Sequence, residues 1–136
     1  MIGFPGETDA LFRETYDFIE RLPFTYLHVF PFSARPGTPA FTWHQAAPVH
    51  GEAVKERKAA VRSLIDAKSE TFRKRLVGAN LSVVTLAGGD STCTEALSDN
   101  FVKISLAGRH DPNRLLAARI DDLTANGLAG QPIPAL

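Results

Sequence analysis

The chain has 136 residues, of which 44% are hydrophobic, and its fifteen Lys and Arg are matched by fifteen Asp and Glu. This is the balance of a soluble globular protein with room for one domain or two small ones, and a net charge of zero means that any nucleic-acid partner must be met by local clusters of charge. No apolar run approaches the roughly 20 residues of a membrane span, the amino terminus lacks the pattern of a signal peptide, and a lone cysteine, Cys93, excludes an intrachain disulfide and fits a reduced cytoplasmic protein.

Met1 to Phe4 reads as the apolar end of a strand, broken by Pro5-Gly6-Glu7-Thr8. Leu11, Thr15, Phe18, Ile19 and Leu22 then recur at helical spacing. Thr8 or Asp9 can cap the first turn, and Pro23 ends the helix. Tyr26 to Phe32 is apolar on both faces and aromatic, as expected of a buried strand in a parallel sheet.

Ser33 to Pro48 contains four prolines and glycines that predict a loop: Pro36, Gly37, Pro39 and Pro48. A long helix is expected from about Glu52 to Leu76, with Val54, Val61, Leu64, Ile65, Phe72 and Leu76 as its buried stripe. Its polar face carries Lys55, Arg57, Lys58, Arg62, Lys68, Arg73, Lys74 and Arg75 against Glu56, Asp66 and Glu70.

Gly78 marks a change of texture. Short strands are predicted at Leu81–Leu86, Thr94–Leu97, Phe101–Leu106, Leu115–Leu123 and Leu128–Ile133, with turn-prone residues between them. Such a series suggests a small antiparallel barrel. The expected fold class is therefore α/β, with a β-α-β unit and long helix over residues 1–77 and a small barrel over 78–136. Two strands are too few to cover a parallel sheet, so the first part is expected to be a fragment of a larger fold.

Two stretches resemble the radical S-adenosylmethionine methylthiotransferases. Ile2-Gly3-Phe4-Pro5-Gly6-Glu7-Thr8 is similar to the fifth strand and turn of that family's partial (β/α) barrel, and Tyr26 to Ala40, YLHVFPFSARPGTPA, is similar to its sixth strand and following loop. The region after Ala79, and Leu97 to Ile104 in particular, resembles the RNA-contacting TRAM barrel that ends these enzymes. The wording is most similar to the branch that methylthiolates threonylcarbamoyladenosine beside the tRNA anticodon. Sibling branches act on isopentenyladenosine or on a ribosomal protein.

The resemblance implies S-adenosylmethionine and 4Fe-4S clusters as cofactors, and tRNA and a missing amino-terminal part of the same enzyme as partners. It covers only the closing part of such an enzyme. The family's C-x-x-x-C-x-x-C cluster motif lies upstream of this portion, and one cysteine cannot replace it. The chain alone is thus expected not to be catalytic, with a plain RNA-binding module as the alternative reading.

A strand ending in Pro-Gly lets a ligand approach the backbone at the carboxyl edge of a sheet. Gly3, Gly6 and Glu7 are therefore cofactor-binding candidates, and a simple strand–helix turn is the other reading. Phe30, Ser33 and Arg35 combine an aromatic face, a hydroxyl and a guanidinium at the end of the second strand, suited to a cofactor or to core packing. His28 shares the face of Tyr26 and Phe30 and reads as a hydrogen-bonded core residue. His44, His50 and His110 have no metal-site spacing. For RNA, the candidates are Arg73, Lys74 and Arg75 at the end of the long helix, and Asn100, Phe101, Lys103, Arg109 and Arg114 in the barrel. Phe101 is equally open to a core role.

Overall fold

The computed structural model describes residues 1–134 and divides into two compact units, Met1–Glu70 and Thr71 onward.

The first unit begins with an extended segment whose Ile2 forms a parallel bridge to Pro31. The amide of Ile2 donates to Phe30 O at 2.9 Å, and that of Phe32 donates to Ile2 O at 2.7 Å. Helix α1 (Asp9–Arg21) starts at Thr8, whose hydroxyl accepts from the Leu11 amide, and stops at Leu22. Helix α2 is Pro39–Ala46, and α3 is Gly51–Lys74. Ile2, Ile19, Val61 and Ile65 form the core, with Phe12, Tyr16, Leu27, Val29, Val54 and Leu64 packed against it.

Several expectations are corrected here. Tyr26 to Phe32 is not a buried strand: among the described residues its one ladder contact is the bridge from Pro31 to Ile2, and no second strand pairs with it. Its side chains alternate. Leu27 and Val29 face the core, while Tyr26 and Phe30 are 69% and 62% exposed. His28 is exposed as well; its ring meets the Tyr26 hydroxyl at 3.1 Å and stacks on Phe30.

The inward face of α1 keeps Ile19 of the expected stripe and adds Phe12 and Tyr16, while Leu11 and Phe18 are half exposed. Residues 33–48 are not all loop, since α2 starts there on a Thr38 cap with Pro39 in its first turn. Arg57, expected on the polar face of α3, is buried.

The second unit is a closed barrel of β1 (Asn80–Gly89), β2 (Cys93–Ser98), β3 (Lys103–Ala107), β4 (Leu115–Leu123) and β5 (Leu128–Ile133), in the order β1-β2-β3-β5-β4. Every pairing is antiparallel except β3 with β5. Directions cannot alternate all the way round a ring with an odd number of strands, so one seam must be parallel.

Alternation along each strand sends Val83, Ala96, Ile104, Leu106, Ala118, Ile120 and Leu128 inward, and Phe72 and Leu76 pack against this core. Three inward hydroxyls are buried with them, and each ties down a loop. Thr85 Oγ1 donates to Asp111 O and accepts from the Arg114 amide; Thr94 Oγ1 donates to Gly108 O and accepts from the His110 amide. Ser98 Oγ accepts from the Val102 amide and donates to Asn100 Oδ1. Buried hydroxyls satisfied in this way carry no unpaired-group penalty. Phe101 stands outside β3, with φ of 61° and 83% exposure, which removes it from the core.

Candidate functional site

In the first unit the parallel bridge sets two chain segments side by side, and both leave it in the same direction. One continues as Gly3 to Glu7, the other as Phe32 to Arg35. Gly3 has φ of +79°, and a Cβ there would lie 2.6 Å from Val54 Cγ2, so only glycine fits. Its amide donates to Glu7 Oε2 at 2.9 Å.

The same Glu7 oxygen accepts from Arg57 Nη1 at 2.7 Å, and Arg57 Nη2 donates to Asp9 Oδ1 at 2.6 Å. The guanidinium also lies 5.5 Å from the centroid of the Phe12 ring. Hydrogen bonding to Asp9 first, then the bond and charge of Glu7, hold the Arg57 pKa above its ordinary value against the opposing effect of burial. Gly3 and Glu7 thus have structural partners within the turn.

Gly6 has φ of +81° with open space where a Cβ would be, and Phe30, Ser33 and Arg35 are exposed. Beside them the Phe4 ring packs edge-on to Phe32 at 5.3 Å and Trp43 at 6.1 Å, and His44 lies against Phe32 at 5.7 Å. His44 Nδ1 is buried with no partner among the described residues. Phe4, Phe32, Trp43 and His44 thus form an aromatic cluster that encloses one ring nitrogen without a partner among the described residues. Phe4, Trp43 and His44 were not legible as a group, since α2 had been expected as loop.

An iron–sulfur cluster finds no fit. Among the described residues no group of three or more His, Cys, Asp or Glu side chains can hold a metal, and Cys93 is a single half-buried thiol. No helix among the described residues is long and apolar enough to cross a membrane.

In the second unit the nucleic-acid candidates fall into separate groups. Asn100 and Phe101 form the β2–β3 turn, where Asn100 Oδ1 accepts from the Ser98 hydroxyl. Exposed Lys103 follows, paired with Leu97 across the hairpin. The register continues outward from Leu97 to Val84 and from Val84 to Leu115, which is next to Arg114. An outward row of Leu115, Val84 and Leu97 therefore has Arg114 at one end and Lys103 at the other.

Arg109 sits apart and donates from Nη1 to Asp90 O at 2.7 Å. Arg73 is half-buried, with Nη1 3.4 Å from both Thr124 O and Ala125 O, so it braces the β4–β5 turn. Lys74 and Arg75 are exposed after it.

No family model matches the chain. It is 38% identical over 84 residues, 62% of this chain and 19% of the relative, to the threonylcarbamoyladenosine tRNA methylthiotransferase MtaB of Thermotoga maritima. The MtaB of Aquifex aeolicus is 29% identical over 88% of this chain and 28% of its own length. A tRNA-2-methylthio-N(6)-dimethylallyladenosine synthase of Chromobacterium violaceum is 32% identical over 98% of this chain and 30% of the relative. The chain spans less than a third of the length of these curated relatives. Its homologues are tRNA methylthiotransferases, of both the threonylcarbamoyladenosine and the dimethylallyladenosine types.

Proposed function

We propose that the chain serves as the carboxy-terminal part of a radical S-adenosylmethionine tRNA methylthiotransferase that modifies threonylcarbamoyladenosine next to the anticodon. In this reading the first unit is the end of a partial barrel that lines one side of the S-adenosylmethionine pocket. The closed barrel is a TRAM domain that holds tRNA. The observation that carries the reading is similarity to tRNA methylthiotransferases along almost the whole chain, joined to a small barrel with outward Lys103, Arg114 and Phe101.

S-adenosylmethionine, when bound, supplies the methyl group of the product. Toward it, Gly6 leaves the backbone open to approach, Phe30 offers a ring face, and Ser33 and Arg35 offer a hydroxyl and a guanidinium. Gly3 and Glu7 act on the shape of the turn. Arg57 neutralises Glu7 and so keeps that turn closed. Cluster ligands belong to polypeptide outside these residues, and this chain alone is not catalytic.

In the barrel, Lys103, Arg109 and Arg114 neutralise phosphates while Asn100 and Phe101 meet unpaired bases. Arg75 and Lys74 add charge at the end of α3.

Replacing Lys103 and Arg109 by alanine in the product of the complete gene should lower tRNA affinity and reduce the salt dependence by about one unit of log–log slope per lost phosphate contact. Unchanged binding across salt concentrations would overturn the RNA reading. The 98% coverage by the Chromobacterium relative favours a second reading, in which the substrate is dimethylallyladenosine. Mass spectrometry of tRNA nucleosides from a strain lacking the gene separates the two by which methylthio nucleoside disappears. A gene without upstream C-x-x-x-C-x-x-C, whose isolated barrel binds tRNA, would instead be an RNA-binding module.

A further inference from the structure

A groove of about 350 Å³ runs along the outer face of β2 and β3, between the β1–β2 turn at Gly89-Asp90 and the β4–β5 turn at Asn126-Gly127. This volume lies within the range of small-ligand pockets, about 300–1,000 Å³. Leu86, Glu95, Lys103, Ser105, Thr124 and Asn126 line it, over Ala96, Ile104 and Leu128, whose side chains point into the barrel core beneath.

Its walls are held in place. Asp90 Oδ1 accepts from the Thr92 amide and hydroxyl, each at 2.7 Å, and from the Cys93 amide at 3.0 Å, so this carboxylate is taken up by its own turn. At the other end Gly127 is packed so closely that a Cβ would lie 2.3 Å from Lys103 O.

We infer that this groove binds one unpaired nucleobase of an RNA strand whose phosphate rests on Lys103, an inference that rests on the RNA-binding reading above. The chemistry of the lining is that of a base reader. Glu95 accepts from an exocyclic amino group, Asn126 both donates and accepts, and Ser105 does the same through one hydroxyl. Leu86 and the aliphatic stem of Lys103 offer the ring face an apolar contact.

The surroundings favour a strand over a free small molecule. Lys103 lies between the groove and the row of Leu97, Val84 and Leu115, which continues to Arg114 and leaves Leu115 77% exposed. A chain of bases lying on that row would keep cations at both ends for its phosphates. Single-strand binders combine the same two elements, a basic track and surfaces that accept a base face.

Cys93 lines the groove and is the chain's single cysteine, so its thiol reports on occupancy. The test measures alkylation of Cys93 by iodoacetamide in the 136-residue chain, with and without an adenosine-containing single-stranded RNA octamer. Saturating octamer should slow alkylation by at least about 5-fold, while an RNA duplex of equal charge should not.

Ser105→Phe, which fills the groove from an outward position, should weaken octamer binding about 10-fold at unchanged salt slope. Lys103→Ala should lower the slope by about 1. Asn126→Ala, in an exposed turn, should give a smaller loss and covers the case in which Ser105→Phe fails to fold. Octamer binding with unprotected Cys93 and no effect of Asn126→Ala would overturn the groove and leave the RNA reading intact. Equal protection by the duplex would reassign the site to backbone charge alone. Absence of any RNA binding would overturn both.

Discussion

Arg57 is a cation with almost no water around it, and oxygens of Glu7 and Asp9 take the place of that water. Its side chain is 8% exposed and that of Glu7 11%, whereas Asp9 is 98% exposed. Removing the guanidinium strands the Glu7 carboxylate with the Gly3 amide as its remaining partner. Breaking a buried pair from one side costs about 3–5 kcal/mol. Arg57→Ala should therefore destabilise the first unit by about 3 kcal/mol, the low end, because water already serves Asp9. Hydrogen exchange of the Val61 and Ile65 amides reads this directly, and wild-type protection in the variant would refute it.

Asp90 gives a pH dependence of known sign. Hydrogen bonds from the Thr92 hydroxyl first, then from the Thr92 and Cys93 amides, lower its pKa from 3.8 to about 2. A carboxyl held low in the folded state stabilises fully above its unfolded value and loses that contribution as pH falls through the folded one. Wild type and Asp90→Ala should thus differ most above about pH 4 and converge toward about pH 2. Denaturant titrations at several acidic pH values check this, and a constant gap between the two curves would contradict it.

Neither role was equally legible. Gly-Gly-Asp announces a turn, so Asp90 was half visible. The partners of Arg57 lie 48 and 50 residues away, and no local pattern distinguishes it from the solvated cations of the same helix.

At the scale of elements, the β2–β3 turn combines exposure and strain. Phe101 has φ of 61°, in a region that costs an L-residue about 1–2 kcal/mol. Glycine there relieves that cost but loses more chain entropy, about 0.5–1 kcal/mol. Phe101→Gly should therefore leave the barrel slightly more stable while tRNA affinity falls by about 10-fold, the worth of one stacked base. Thermal unfolding and binding isotherms of the same variant check both; a less stable barrel with full affinity would assign the ring a packing role.

The barrel strands were readable because period-two alternation and turn residues agree there. Helix α1 was placed correctly and Ile19 was read as buried, but Leu11, Thr15 and Phe18 were taken for the inward face in place of their neighbours Phe12 and Tyr16. Only the packing of Ile2 and Val61 selects between those faces. Helix α2 was legible in principle from Thr38-Pro39, a cap followed by a first-turn proline, but the neighbouring prolines and glycine masked it.

At the scale of the molecule, two units of different texture share one chain, and the homologues extend well beyond both. The first unit shows large exposed apolar side chains, Leu11, Phe18, Tyr26, Phe30 and Trp43 among them. The second keeps most of its apolar residues inside a ring. Composition could not separate these textures, because a net charge of zero averages over both.

The like-directed seam has a directional consequence. Strands β3 and β5 enter the ring at the same mouth, so the turn carrying Phe101 and the turn carrying Asn126 and Gly127 open side by side, with Lys103 close to both. The loop that carries Arg109 and Arg114 opens at the opposite mouth. The barrel is thereby polarised end to end: one mouth has two short turns with Lys103 and Arg73 beside them, and the other has a longer loop that carries Arg109 and Arg114.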